Sequence, residues 1–407
     1  MNSRFWFNVD WLTVFVFVAL MVFGWVNIVA AEYDVTNFTN VFDLDKSYGK
    51  QFMWLVVSIG LAIITLIIDA RFYSTFSNYI FAFTILLLIL TLLLGRPING
   101  AVSWIQIGPF SLQPSEFAKT GTILAIAKYL EGHGVSIVNN RHKLVVLGIM
   151  ALPVGLISLQ PDFGSAMVFF ALIIMLYREG LHWIYLALPA WLGLISIASM
   201  LVSSVFIVIG VLIFLAIIAI YYTRKNFWFS VALAGFSLVS SGVSFGVNYV
   251  VENVLPTHHK NRIYVLLGKI EDPNDLGYNV HQSLIAIGSG GFDGKGWLQG
   301  TQTTGGFVPE QNTDFIFCTV GEEFGWIGTT AVIMGFAVLL FRLIMLAERQ
   351  RTKFARIYGY GVVSIIFFHV LVNIAMTVGL FPIIGIPLPL FSYGGSSLMS
   401  FAVMVFI

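Results

Sequence analysis

The run WLTVFVFVALMVFGWVNIVA, from Trp11 to Ala30, decides the fold class. It carries no charged residue. A helix of this length reaches across a hydrocarbon core, which needs roughly 20 residues. A cleaved leader has a shorter apolar core. The run therefore reads as a retained anchor helix, although Ala30 and Ala31 give it a small-residue end of the kind a leader shows.

The same pattern recurs outward from it. Hydrophobic residues fill 58% of the 407 positions and charged residues 10%. A soluble domain cannot hide that much apolar surface, so the chain reads as an integral membrane protein. Candidate spans lie near 11–30, 51–69, 77–95, 115–130, 144–160, 163–177, 183–201, 204–222, 227–250, 315–345, 357–380 and 393–407. Helices are expected because lipid satisfies no backbone N–H or C=O. The expected fold is all-α and polytopic: one membrane domain over residues 1–407, with about 12 transmembrane helices. A large extracytoplasmic loop, 251–313, precedes the tenth span. The last span stops at Ile407 without a charged flank, the pattern of a truncated chain. The halves share no repeat, which argues against an inverted-repeat transporter.

Composition excludes several functions. A net charge of +1 argues against a nucleic-acid partner. The single cysteine, Cys318, rules out an internal disulfide framework and a Cys-based zinc site, and the histidines show no metal-ligand spacing.

Lys and Arg set the orientation. One set of alternate loops is dense in cations, including Arg4, Arg71, Lys128, Arg141, Lys143, Arg178, Arg224, Arg342, Arg349, Arg351 and Arg356. The other set is sparser for its length, with Lys46, Lys50, Arg96, Lys260, Arg262, Lys269 and Lys295. The dense set is expected in the cytoplasm, with both termini. Loops 31–50, 96–114, 251–313 and 381–392 and the turn Gln160-Pro161-Asp162 then face outward, and the unusual motifs gather there.

The foremost motif is Val308-Pro309-Glu310-Gln311-Asn312-Thr313-Asp314-Phe315-Ile316-Phe317. It places Asp314 where a wet loop enters a membrane helix. Thr313 suits a cap, and an acid in the first helical turn is favoured by the helix dipole. The bland reading is a helix-starting residue. Against it, Gly321 and Gly325 lie on nearly the same helical face and would admit another helix or a substrate. Glu322 and Glu323 lie deeper and point about 100° apart. For Glu322 a structural hydrogen-bonding role is favoured over a catalytic one.

Gln113-Pro114-Ser115-Glu116-Phe117-Ala118-Lys119 puts an acid and a base three residues apart, close enough to pair. Such a pair within a membrane helix marks a functional cavity or fixes helix packing, and the two readings are compatible. Asp162, in Gln160-Pro161-Asp162-Phe163-Gly164, reads locally as a cap. Asn279 to Ile287 suits a short interfacial helix. Gly288 to Gly291 permits an irregular path, without the order of a phosphate-binding loop. Pro387 and Pro389 break any helix before Gly394-Gly395.

Together these strings resemble the shape, elongation, division and sporulation family, its elongation branch most closely. The match runs through Trp104-Ile105, Leu112 to Lys119, Gln160 to Gly164, Gly277-Tyr278 to Gly291, Pro309 to Phe317, Gly321-Glu322-Glu323 and Gly385 to Ser397. The resemblance implies a peptidoglycan glycosyltransferase of the bacterial cytoplasmic membrane that polymerises lipid II on the extracytoplasmic side. It implies Asp314 as the essential acid, Glu116 and Lys119 as the buried pair, Asp162 as a further cavity acid and a class B penicillin-binding protein as partner. Two departures stand out. Val102 and Ser103 precede Trp104 where the family has Arg, so a phosphate contact would fall to Arg96 or Arg262. The apolar stretch between Arg178 and Asn253 adds one hairpin to the family's ten spans.

In the expected reaction a sugar hydroxyl attacks the anomeric carbon of the growing strand, and lipid pyrophosphate leaves. Asp314 takes the proton, and cations such as Lys119 and Arg262 steady the pyrophosphate. A divalent cation, Mg or Mn, is compatible with that leaving group; no residue pattern demands a cofactor. The helix start would keep Asp314 ionised, whereas a dry cavity would raise its proton affinity. The rival class is a lipid II flippase.

Overall fold

The computed structural model describes residues 9–33, 40–98, 101–108, 110–202, 205–223, 227–253, 260, 264 and 278–407. Each of the twelve apolar segments is helical. α1 spans Trp11–Ala31, α2 Ser47–Ile67, α3 Ala70–Leu94, α4 Pro114–Glu131 and α5 Asn140–Ser158. α6 (Phe163–Val168) and α7 (Leu172–Arg178) are joined by a 3-10 turn at Phe169–Ala171. α8 (Ile184–Leu201), α9 (Val205–Thr223) and α10 (Phe227–Asn253) follow. Beyond the long loop come α11 (Tyr278–Ser289), α12 (Thr301–Thr304), α13 (Ile316–Arg349), α14 (Lys353–Thr377) and α15 (Gly395–Phe406).

Among the described residues, 7 helices are long and apolar enough to cross a membrane, and shorter apolar helices fill the other segments except that of α4, which meets neither description. The chain is a polytopic all-α membrane protein. α4 is less apolar than its neighbours and the most enclosed: alanine, glycine and threonine line it, and most of its residues are buried. It packs on α3, α5, α14 and α15, so it and α14 form the centre.

Met1–Leu181 and Asn279–Ile407 form one compact unit, and His182–Tyr278 forms a second. The expected added hairpin lies in the second unit, where α8, α9 and α10 pack together. There Trp191 Nε1 donates to Ser240 Oγ at 3.1 Å and Asn248 Nδ2 to the Ser199 carbonyl at 3.4 Å.

Three features correct the expectation. First, the 96–114 loop is a small antiparallel sheet, β1 (Arg96–Ile98), β2 (Ala101–Ile107) and β3 (Phe110–Leu112), within an otherwise helical chain. Trp104 stands across from Arg96, and Gln106 from Ser111. Alternating β-branched and aromatic residues such as Val102, Trp104 and Ile105 suit a pleated strand. Second, α13 is not continuous. Gly325 has φ 60° and ψ −153°, a conformation that glycine tolerates, and it joins two helical segments. Third, the 251–313 loop is not wholly wet. From Tyr278 onward it folds into α11, a glycine-rich turn and α12, laid against α13. Residues 254–259, 261–263 and 265–277 of that loop, and with them Arg262, lie outside the described residues.

The cation-rich helix ends gather together. Arg178 pairs with Glu348 at 2.7 Å, Arg356 with Glu179 at 3.1 Å, Arg342 with Asp10, and Lys353 Nζ donates to the Val135 carbonyl. The polar motifs meet at other helix ends: Val102 N–H donates to the Gln160 carbonyl, Gln113 N–H to Ser396 Oγ and Tyr393 N–H to the Asn312 carbonyl.

Candidate functional site

The turn Glu310–Phe315 is built before the chemistry is placed in it. Glu310 has φ 54°. Its carbonyl accepts from the N–H groups of Thr313 and Phe315. Thr313 Oγ1 donates back to Glu310, including its carboxylate at 2.9 Å. The hydroxyl is therefore spent within the turn. It does not cap the helix, as the sequence suggested; Phe315 occupies that position without a side-chain bond, and Asp314 precedes α13 instead of joining its first turn. Gln311 Nε2 donates to the carbonyls of Ala31 and Thr303. Asn312 Nδ2 donates to Glu32 Oε1 at 2.9 Å. The turn is thus pinned to α1, α12 and the segment before α15.

Within it the Asp314 carboxylate is the exception. The residue is partly exposed, yet no donor among the described residues bonds its side-chain oxygens. Burial pushes its carboxyl up to about 7, reinforced by the charges of Glu310 and Asp162. Desolvation outweighs the helix dipole here, since Asp314 precedes the helix and no helical N–H bonds its carboxylate. Gly385, with φ 69°, borders it; a Cβ there would stand 3.5 Å from Oδ2.

Behind Asp314 its backbone is held. Asn373 Nδ2, buried on α14, donates to the Asp314 carbonyl at 2.9 Å and to the Ile386 carbonyl at 2.8 Å. One turn earlier His369 Nδ1 lies 3.1 Å from the Pro387 carbonyl, and its Nε2 lies 3.0 Å from Lys119 Nζ. An ammonium only donates and a carbonyl only accepts, so Nε2 is the acceptor and Nδ1 carries the proton. Sequence reasoning missed His369 and Asn373. Their signal was available: His369, Asn373 and Thr377 recur every four residues in an otherwise apolar span, which puts three polar groups on one helical face.

Glu116 and Lys119 pair as their spacing suggested. Both carboxylate oxygens lie 2.8 Å from Nζ, and the side chains are 2% and 1% exposed. Phe401 covers the ammonium, its ring centroid 5.0 Å away. Asp162 caps α6, accepting from the N–H and hydroxyl of Ser165, and also accepts from Gln113 Nε2 at 3.3 Å. The cap reading holds, and Asp162 is close enough to raise the Asp314 pKa as well.

Glu322 bonds locally. It accepts from Lys295 Nζ at 2.6 Å, Gln302 N–H at 2.8 Å and Thr303 N–H at 2.9 Å, which ties the glycine-rich turn to α13. Gly321 and Gly325 admit this same covering: a Cβ on Gly321 would meet Ile287 of α11 at 2.8 Å, and one on Gly325 would meet Phe292 and Gly294. The face they open is filled by protein. Trp104 is half-buried on β2, and Arg96 Nη1 bonds Gln106 Oε1 at 3.1 Å on the exposed side of the sheet. Among the described residues no three His, Cys, Asp or Glu side chains converge to hold a metal ion.

A half-buried carboxylate of raised proton affinity, near the carboxylates of Glu310 and Asp162, suits proton transfer. Comparisons with known proteins identify the family. The family model for FtsW, RodA and SpoVE, described as cell cycle protein, matches residues 10–216 and 204–407. The peptidoglycan glycosyltransferase RodA of Treponema pallidum is 32% identical over 381 residues, 87% of each chain. The peptidoglycan glycosyltransferase MrdB of Escherichia coli is 31% identical, covering 88% of this chain and 82% of its own length. Among solved structures, a chain of a peptidoglycan synthase complex that coordinates polymerization and crosslinking is similar with a TM-score of 0.71 and 27% identity, over 98% of this chain and 96% of that one. The rod shape determining protein RodA of Thermus thermophilus gives 0.63 and 25%, over 98% and 95%. The chain belongs to the FtsW, RodA and SpoVE family of cell cycle proteins.

Proposed function

We propose that this protein polymerises lipid II into glycan strands at the outer face of the bacterial cytoplasmic membrane during cell elongation, with Asp314 as general base. That it is a peptidoglycan glycosyltransferase, in several passes through the bacterial inner membrane, follows from its relatives. The observation that carries the site assignment is the Asp314 carboxylate: presented at a pinned turn, unoccupied by any described donor, and raised to about 7. A base poised near the working pH is the efficient one.

In the reaction the acceptor's sugar hydroxyl bonds to the anomeric carbon of the donor strand. The bond from that carbon to the lipid pyrophosphate breaks, and the hydroxyl proton goes to Asp314. The departing pyrophosphate gains negative charge and needs a cation. Arg96 and Trp104, cross-strand neighbours on the small sheet, are assigned to that side. Lys119 is engaged by Glu116 and His369 and sealed from water, which favours holding the site's framework over gripping phosphate. Asp162 is assigned as the cavity acid that tunes Asp314. The cation-rich helix ends support a cytoplasmic placement of that end and of both termini. The likeness to a chain of a complex that coordinates polymerization and crosslinking supports a crosslinking partner, which we assign as a transpeptidase of the class B penicillin-binding type.

The test is polymerisation of labelled lipid II by the purified protein, with and without the transpeptidase, beside a flipping assay in liposomes. Wild type should make polymer and Asp314→Asn none, with its partner still bound. Normal polymer from Asp314→Asn refutes the base assignment; flipping without polymerisation favours the transporter alternative.

A further inference from the structure

The geometry points to Asn373 as a positioning residue for the transfer step: its side-chain amide sets where Asp314 stands by clamping the backbones of two loops at once. The inference rests on the reading of Asp314 as the base. Asn373 is fully buried on α14, in the centre of the molecule. Both of its Nδ2 protons are committed, one to the carbonyl of Asp314 and one to that of Ile386. Two carbonyl partners leave no ambiguity over which end of the amide is nitrogen, since Oδ1 cannot donate. Oδ1 itself has no partner. A buried polar group retained with half its bonding capacity unmet is costly, and what it obtains for that cost is the two carbonyls.

Those carbonyls belong to the segments that wall the base. Asp314 carries the carboxylate, and Ile386 follows Gly385, whose missing side chain leaves room beside Oδ2. Asn373 is fully buried and bonds the Asp314 backbone, not its carboxylate, so it acts through Asp314. The next residue of the loop, Pro387, is held by His369, four residues before Asn373 on α14, and His369 is held by Lys119 and through it by Glu116. The buried ion pair and the base are therefore anchored to adjacent peptides of one loop. This gives the ion pair a purpose that needs no contact with substrate: it fixes the loop against which the base is set. Displacing a reacting group by about 1 Å costs on the order of 100-fold in rate.

The experiment compares Asn373→Leu, Asn373→Ser and Asn373→Gln in the full-length protein, polymerising labelled lipid II. Ser364→Ala is the control, a buried residue of the same helix whose hydroxyl donates to the Tyr360 carbonyl one turn earlier. Asn373→Leu, of similar size without a donor, should lower kcat about 10–100-fold while KM stays within about twofold. Asn373→Ser reaches one carbonyl at most and should fall between, which serves if the leucine variant does not fold. Asn373→Gln keeps both protons and should recover part of the rate. Ser364→Ala should leave kcat unchanged at a comparable melting temperature. Unchanged kcat in both Asn373→Leu and Asn373→Ser, or a loss matched by Ser364→Ala, overturns the inference. Asp314→Asn run alongside separates the two failures: if it is inactive while the Asn373 variants are normal, only the positioning role is lost; if it is active, the base assignment falls first.

Discussion

Asp314 is a carboxylate whose surroundings disfavour its charge, and two consequences can be measured. A base works when ionised, so kcat/KM should climb as pH rises through about 7 and level off above it. Glu310 contributes to the raised value by its negative charge, so Glu310→Gln should move that midpoint down by a fraction of a unit. A midpoint that stays in place in Glu310→Gln would show that the Glu310 charge does not contribute to it. Stability runs the other way. A carboxyl raised from 3.8 to about 7 stabilises the fold below its unfolded value, and this contribution is lost as pH rises through the folded one. Asp314→Asn should accordingly raise the melting temperature more at pH 8 than at pH 5, even as it removes activity. An equal shift at both pH values would contradict the desolvated state. For the ion pair the asymmetry is steeper. Glu116→Ala strands a buried ammonium and should cost about 3–5 kcal/mol, whereas Glu116→Gln with Lys119→Met removes both charges and should cost less. A double variant as unstable as the single one would rule out a charge-pair effect.

At the scale of elements, the break in α13 and the turn laid over it form one interlock. Glycine at 325 is required twice, by its positive φ and by the approach of Gly294 and Phe292. Glu322, one helical turn earlier, accepts the N–H groups that begin α12. Removing an acceptor from a buried donor costs about 1–3 kcal/mol. Glu322→Ala should therefore lower the melting temperature by several degrees and open residues 295–304 to protease, with little change in KM. Unchanged protease resistance would mean that the turn is held by its glycine contacts alone. The turn matters to the site because Thr303, at its end, accepts from Gln311, so the clamp on Glu322 steadies the chain that presents Asp314.

At the scale of the whole molecule, Asp314 lies among the polar helix ends, and the paired arginines Arg178, Arg342 and Arg356 gather elsewhere. Cys318 is buried, so an added cysteine can be read against a quiet background. With a membrane-impermeant thiol reagent on intact cells, Gln106→Cys on the sheet should label and Gln350→Cys after α13 should label only once the membrane is opened. The reverse pattern would invert the orientation and put the carboxylate on the side away from its substrate.

What the sequence by itself determined was the membrane, the helical segments and the short polar strings that had to matter. These follow from transfer free energy and backbone hydrogen bonding, which depend on each segment alone. The Glu116–Lys119 pair was legible for the same reason, being a neighbour relation on one helix. Only the tertiary structure decided the rest. That Asp314 stands before α13 and not in its first turn depended on where the Thr313 hydroxyl turned. Gly321 and Gly325 offered room for another helix or a substrate and proved to receive the protein's own chain. Asn373 and His369 acquired roles only when α14 brought them against carbonyls of separate loops. Such convergence is a property of packing between distant segments, on which the free energy of a buried polar group depends and which no local pattern encodes.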